Sequence, residues 1–186
     1  MSSSHGGKGS NQAVQAARFG ASVAMIAAIG HDPAGEAALE MWRDEGIDVS
    51  AVRQEGHHAT GTATILSRSD GQNVIILDTG TNACVAEYNV RDAEQAIKSA
   101  KLVLAQLETP QSATSAAFEF ARRHHVITML NVAPVPERVE PGLLNLVDIL
   151  IVNEVEAGTL SPPEQRSGDP ERAAEALLQK SGSPCC

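Results

Sequence analysis

LVLAQLETPQSATSAAFEFARRHHVITMLNV, residues 102–132, holds two short apolar runs with an amphipathic stretch between them. The runs, 102–107 and 126–132, are rich in Leu, Val, Ile and Met, as the buried strands of parallel sheets are. Between them Ala113, Ala116, Ala117, Phe120 and Ala121 recur at helical spacing and mark one face of an α-helix. Strand, helix and strand in this order form a βαβ unit, whose two strands run parallel.

The same alternation extends in both directions. Upstream, residues 11–19 read as a helix ended by Gly20 in the left-handed cap position. Residues 23–29, VAMIAAI, form an uninterrupted apolar run of the kind a strand buried on both faces shows. A second helix over 34–45 is entered through Asp32-Pro33 and closed by Gly46. Ala93, Ala96, Ile97 and Ala100 give another helical face. Downstream, 149–152 reads as a strand, 154–160 starts a helix, Ser161-Pro162-Pro163 breaks the chain, and 170–180 is a last helix. One segment departs from this rhythm. Residues 62–67 and 73–77 are β-rich runs flanking Ser69-Asp70-Gly71-Gln72, and Asp-Gly between such runs signals a hairpin. Inside a βα pattern it marks an appendage, either a lid or a subunit contact.

The expected fold is α/β: an open parallel sheet flanked by helices, with a small β-lid at about 62–77. One partial domain is expected over 6–180, with tails at 1–5 and 181–186. Both ends read as cut. A Gly-rich turn opening a helix normally follows a strand, and the last helix calls for another strand after it.

Composition narrows the partners. The chain has 186 residues, 42% of them apolar, enough for a sizeable core without disulfides. Asp and Glu (23) outnumber Lys and Arg (14), and the net charge of −9 leaves no basic footprint for nucleic acid or a membrane surface. Any phosphate must be met by a local arrangement. Cys84, Cys185 and Cys186 are odd in number and lack CxxC spacing, so they form neither a disulfide framework nor a zinc site. With no apolar leader in residues 1–10 and no apolar run longer than 23–29, a cytoplasmic location is expected.

The segment Gly6-Gly7-Lys8-Gly9-Ser10-Asn11-Gln12 is the most informative chemically. Its glycines let the backbone approach a ligand, the following helix offers unpaired N–H groups, and Lys8 adds a positive donor. It is neither a P-loop, since Lys8 is followed by Gly9, nor a GxGxxG dinucleotide fingerprint. A flexible tail leading into an N-capped helix is the other reading. Gln106-Leu107-Glu108, Asn131-Val132-Ala133-Pro134 and Asn153-Glu154-Val155-Glu156 each close a strand, where open α/β sheets bind ligands. Helix capping accounts for the last group equally well. Trp42 and Met41 read as core, and His57-His58 as a solvated loop.

Gly6-Gly7-Lys8-Gly9-Ser10-Asn11-Gln12-Ala13, followed at the same spacing by Gly20 and Gly30, is similar to the N-terminal signature of the PfkB carbohydrate kinases. Thr60-Gly61-Thr62-Ala63, Gly71-Gln72-Asn73-Val74-Ile75 and the three strand-end groups continue the likeness in order, and the wording is closest to ribokinase-type members. The resemblance implies a ribokinase-like fold. It also implies transfer of the ATP γ-phosphoryl group to the 5-hydroxyl of D-ribose, with Mg²⁺ and activation by K⁺. Gly7, Lys8, Gly9, Ser10 and Asn11 match the loop that holds the sugar, and Glu108 matches an acceptor for a sugar hydroxyl. Asn153 matches a residue near the nucleotide phosphates, and Glu156 one that helps hold Mg²⁺ through water. The hairpin matches a β-lid that closes over the sugar and pairs subunits into a homodimer.

Two departures carry consequences. The family's D-T-x-G-A-G-D segment, which supplies the catalytic base and the helix start that stabilises the transferring phosphoryl group, does not occur in these 186 residues. No catalytic residue is therefore assigned, and the chain by itself is expected to be inactive. Asp78-Thr79-Gly80-Thr81-Asn82 departs from the Ala-Gly-Ala-Asn-like wording of the family, which bears on the choice of sugar. The competing expectations are a PfkB kinase for fructose, a sugar acid or a nucleoside, and a non-catalytic product that pairs with kinase subunits through the hairpin.

Overall fold

A computed structural model of the chain describes residues 4–67, 73–140 and 142–160. It divides into two compact units, 1–93 and 94–186.

The first unit opens with helix α1 (Lys8–Arg18), then strand β1 (Ala24–Gly30), helix α2 (Pro33–Asp44) and strand β2 (Asp48–Glu55). Strands β1 and β2 pair in parallel, from Ala24 opposite Asp48 to Gly30 opposite Glu55. Helix α2 starts because Asp32 caps it, its Oδ1 accepting from the Gly35 N–H at 2.8 Å, and because Pro33 presets the first helical φ. It ends at Gly46, whose φ of +72° only glycine adopts readily. Ile29, Leu39, Trp42 and Ile47 form the core here, with half-buried Ala13, Val14 and Ala17 of α1 packed on it.

Strand β2 carries no apolar run that would mark it in the sequence. Its sequence, DVSAVRQE, is too polar to read as a buried strand, and of its residues only Ala51 is buried. The expectation that 23–29 is buried on both faces is corrected in the same way. Ala24 is exposed, residues 25–27 are half-buried, and only Ala28, Ile29 and Gly30 are covered.

Strands β3 (Thr62–Ser67) and β4 (Asn73–Asp78) form the expected antiparallel hairpin, with Thr62 opposite Asp78 and Ser67 opposite Asn73. Its Asp-Gly turn lies outside the described residues. A 3₁₀ turn (Gly80–Cys84) and helix α3 (Glu87–Asp92) complete the unit. Thr81, fully buried, fixes the turn by donating its hydroxyl to the Ala28 carbonyl at 2.9 Å.

The second unit runs α4 (Glu94–Ser99), β5 (Leu102–Gln106), α5 (Gln111–Arg123), β6 (Ile127–Asn131), β7 (Ile149–Ile151) and α6 (Glu154–Leu160). The helix expected over 93–100 is thus α4 alone. Strands β5, β6 and β7 form one parallel sheet in that order, as the βαβ reading requires. The buried face of α5 is Ala113, Thr114, Ala117, Phe118 and Ala121, so the core ring is Phe118 and not the expected Phe120, which is half-buried. Phe118 packs with Leu107, Leu130, Val132, Leu143 and Val147. Asp148 locks the amino end of the sheet, its Oδ2 accepting from the Thr128 N–H at 2.8 Å and from the Thr128 hydroxyl at 3.0 Å. The break at 161–163 and the helix expected over 170–180 lie outside the described residues.

Candidate functional site

In the first unit the glycine loop runs directly into α1. Gly7 is the N-cap residue, with φ +88° and ψ 136°, and a Cβ placed there would meet nothing within 4 Å. Glycine is required by the backbone conformation, not by crowding. The helix is entered without a side-chain cap and without an acidic residue in its first turn. Its first N–H groups lack intrahelical partners and its own first turn carries no carboxylate, so the positive dipole end suits a hydroxyl or anionic oxygen. Lys8, Gly9 and Ser10 are half-buried and Asn11 is exposed. Lys8, Gly9, Ser10 and Asn11 therefore share one helical turn, with the Asn11 N–H donating to the Gly7 carbonyl at 2.9 Å. The Ser10 Oγ accepts a hydrogen bond of 2.8 Å from the Trp42 indole N–H, so this hydroxyl is already engaged within the fold.

The foot of the hairpin is a second polar cluster. Asp32 accepts from the Thr60 N–H through Oδ2 at 2.7 Å and from the Thr60 hydroxyl through Oδ1 at 2.7 Å, while the Gly30 N–H donates to Thr60 Oγ1 at 2.9 Å. The end of β1, the start of α2 and the chain entering β3 thus meet on one carboxylate. Four glycines make room for this. A Cβ on Gly30, Gly35, Gly61 or Gly80 would stand within 2.3–2.8 Å of backbone or polar atoms of the same cluster. Sequence reading took Asp32 only as a helix entry, because its partner Thr60 lies 28 residues away.

The bonds from the Thr60 backbone and side chain, then that from the Gly35 N–H, hold the Asp32 carboxyl below its ordinary value. A carboxylate lowered on folding contributes stability above its unfolded pKa, and that contribution is lost as pH falls through the folded one. Below about pH 4, the protection of the Gly35 and Thr60 amides relative to their intrinsic exchange rates should therefore fall. Asp32→Asn should remove that acid-dependent loss of protection, and an unchanged acid profile in the variant would contradict the assignment.

Above its foot the hairpin is unusually apolar at its surface. Ile65, Leu66, Val74, Ile76 and Leu77 are each at least 50% exposed.

In the second unit, register sets the geometry. Gln106 pairs with Asn131 and Asn131 with Ile151, so the three strands end side by side. Glu108, Asn131 and Asn153 thereby leave the carboxyl edge of the same sheet, as expected from sequence. Glu108 is half-buried, two residues past β5. Asn153 and Glu156 form a reciprocal capping box on α6: the Asn153 Oδ1 accepts from the Glu156 N–H at 2.8 Å, and the Glu156 Oε2 accepts from the Asn153 N–H at 2.7 Å. The capping reading therefore holds for both residues. The box uses one oxygen of the Glu156 carboxylate, and the other takes no part in it.

Among the described residues no group of three or more His, Cys, Asp or Glu side chains could hold a metal ion. The Glu156 carboxylate oxygen outside the capping box is one donor at this edge, and a single carboxylate oxygen suits a hydrated cation better than an all-protein cage. Among the described residues no helix is long and apolar enough to cross a membrane.

The family model for pfkB family carbohydrate kinases matches residues 1–183. The chain is 41% identical to the ribokinase of Staphylococcus aureus over 157 residues, covering 84% of this chain and 51% of the relative. It is 39% identical to the ribokinase of Haemophilus influenzae over 160 residues, covering 86% of this chain and 52% of that one. Among solved structures, Arabidopsis thaliana ribokinase complexed with ribose and ATP superposes with a TM-score of 0.85 at 29% identity, covering 94% of this chain and 57% of its own. The chain spans about half the length of the curated relatives it matches.

Proposed function

The chain belongs to the pfkB family of carbohydrate kinases, and from that premise we propose that it carries the sugar-holding part of a ribose kinase. The reaction is transfer of the ATP γ-phosphoryl group to the 5-hydroxyl of D-ribose. One observation carries the reading. The loop whose wording resembles the family's sugar loop is built here as an uncapped helix start, with Gly7 in a conformation reserved for glycine.

In this reading Gly7, Lys8, Gly9 and Asn11 hold sugar hydroxyls through backbone N–H groups, the Lys8 ammonium and the Asn11 amide. Glu108 accepts from a further hydroxyl. Asn153 lies near the nucleotide phosphates, and Glu156 orients water on Mg²⁺ through the carboxylate oxygen outside its capping box. Mg²⁺, when bound with ATP, offsets phosphate charge. K⁺ is the activating cation that the resemblance implies. The exposed apolar strip of the hairpin is the surface on which two subunits pair. One ribokinase-like domain over 6–180, with the hairpin as its lid, remains the domain reading, and a cytoplasmic setting goes with it.

These 186 residues contain no D-T-x-G-A-G-D segment, and phosphoryl transfer depends on positioning and charge stabilisation. Incubated with ATP, Mg²⁺, K⁺ and D-ribose, the purified chain should therefore form no ADP above a no-sugar control. Ribose-dependent ADP formation by the chain alone would overturn its assignment as only part of the machinery.

A further inference from the structure

The chain has a single tryptophan, Trp42, and its buried ring lies in the core of the first unit. An indole N–H donates only, and when buried it finds a partner. Its partner here is the hydroxyl of Ser10, 32 residues away and within the first turn of α1. We infer that Trp42 is a positioning residue for the glycine loop, acting through Ser10. This rests on the loop being the sugar loop only for its functional meaning; the anchoring itself rests on the geometry.

Three features of α1 make this tether matter. Gly6, Gly7 and Gly9 leave the helix start with little conformational preference of its own. Gly7 contributes no side-chain cap, and no residue of α1 is fully buried. The helix is instead fastened to α2 near both its ends. At the last turn, the Arg18 Nε–H donates to Glu45 Oε1 at 3.0 Å and Oε2 at 2.9 Å. At the first turn, the Trp42–Ser10 bond does the same work in a half-buried setting, where water competes less. Ser10 stands between Gly9 and Asn11, so fixing its side chain sets the direction of the neighbouring N–H groups. Ser10 is then a relay to Trp42, and its O–H remains a donor for a sugar hydroxyl.

Hydrogen exchange of the loop in the full chain tests this, with Trp42 fluorescence as a second readout. Ser10→Ala and Trp42→Phe should each lower the protection of the amides of residues 11–14, the first to bond within α1, roughly two- to tenfold, the range a lost hydrogen bond allows. The double variant should add little to either single one. Ser10→Thr, which keeps the hydroxyl, should behave as the parent, and Ser10→Ala should shift the Trp42 emission. Unchanged protection at 11–14 in both single variants would overturn the proposal, even if Trp42→Phe lowers overall stability. Protection of the loop by added D-ribose is read separately. Loosening in the variants with no ribose protection in the parent supports the anchoring and counts against the sugar reading.

Discussion

Gly80→Ala should be among the most damaging single-methyl changes in the chain. Gly80 has φ +45°, and a Cβ there would stand 2.3 Å from the Ala59 carbonyl oxygen and 2.8 Å from the Gly61 nitrogen. Both neighbours are backbone, held in turn by the Asp32–Thr60 cluster, so neither yields by a rotamer change. The left-handed conformation and the overpacking together should cost roughly 2–5 kcal/mol, a large share of the 5–15 kcal/mol that holds a typical domain. Two controls separate the terms. Gly46 has φ +72° with open space around its Cβ position, so Gly46→Ala should show the conformational cost alone, about 1–2 kcal/mol. Gly35 lacks the positive φ, but its Cβ would meet the Gly30 carbonyl at 2.4 Å, so Gly35→Ala should show the crowding alone, about 1–3 kcal/mol. Urea titration followed by Trp42 fluorescence reports on this unit. A Gly80→Ala midpoint no lower than that of Gly46→Ala would show that the foot of the hairpin is not tightly packed.

Phe118→Ala should damage the second unit by a different route. Phe118 is fully buried on α5, against Leu130 and Val132 of the sheet region and Leu143 beyond it. Truncation removes the transfer energy of the ring and leaves a cavity that neighbours on three segments refill only in part, a loss of about 3–5 kcal/mol. The loss should appear as faster amide exchange in β5, β6 and α5. Protection of these elements at parental levels would mean that the core does not depend on this ring.

The two halves of the chain were not equally legible from sequence. The βαβ unit at 102–132 declared itself because α5 buries one helical face and β5 and β6 are apolar enough to read as strands. Strand β2 did not, since DVSAVRQE buries little beyond Ala51 and carries no apolar run. The strand-end residues follow from where the apolar runs stop, and the register of β5, β6 and β7 sets Gln106, Asn131 and Ile151 side by side. What Asn153 and Glu156 do was not decidable, because a capping box and the family motif use the same residues at the same spacing. Asp32 and Trp42 were read as a helix entry and a core residue. Their decisive partners, Thr60 and Ser10, lie 28 and 32 residues away, beyond the reach of any local pattern.

The proposed sugar loop can be tried in a working enzyme by placing residues 6–160 into the aligned stretch of the Staphylococcus aureus ribokinase and measuring ATP-dependent phosphorylation across D-ribose, D-fructose and adenosine. Turnover of D-ribose in clear preference to the other two, lost on Lys8→Ala, is the predicted result. A folded exchange protein that prefers fructose or adenosine, or whose ribose turnover is indifferent to Lys8→Ala, would contradict it.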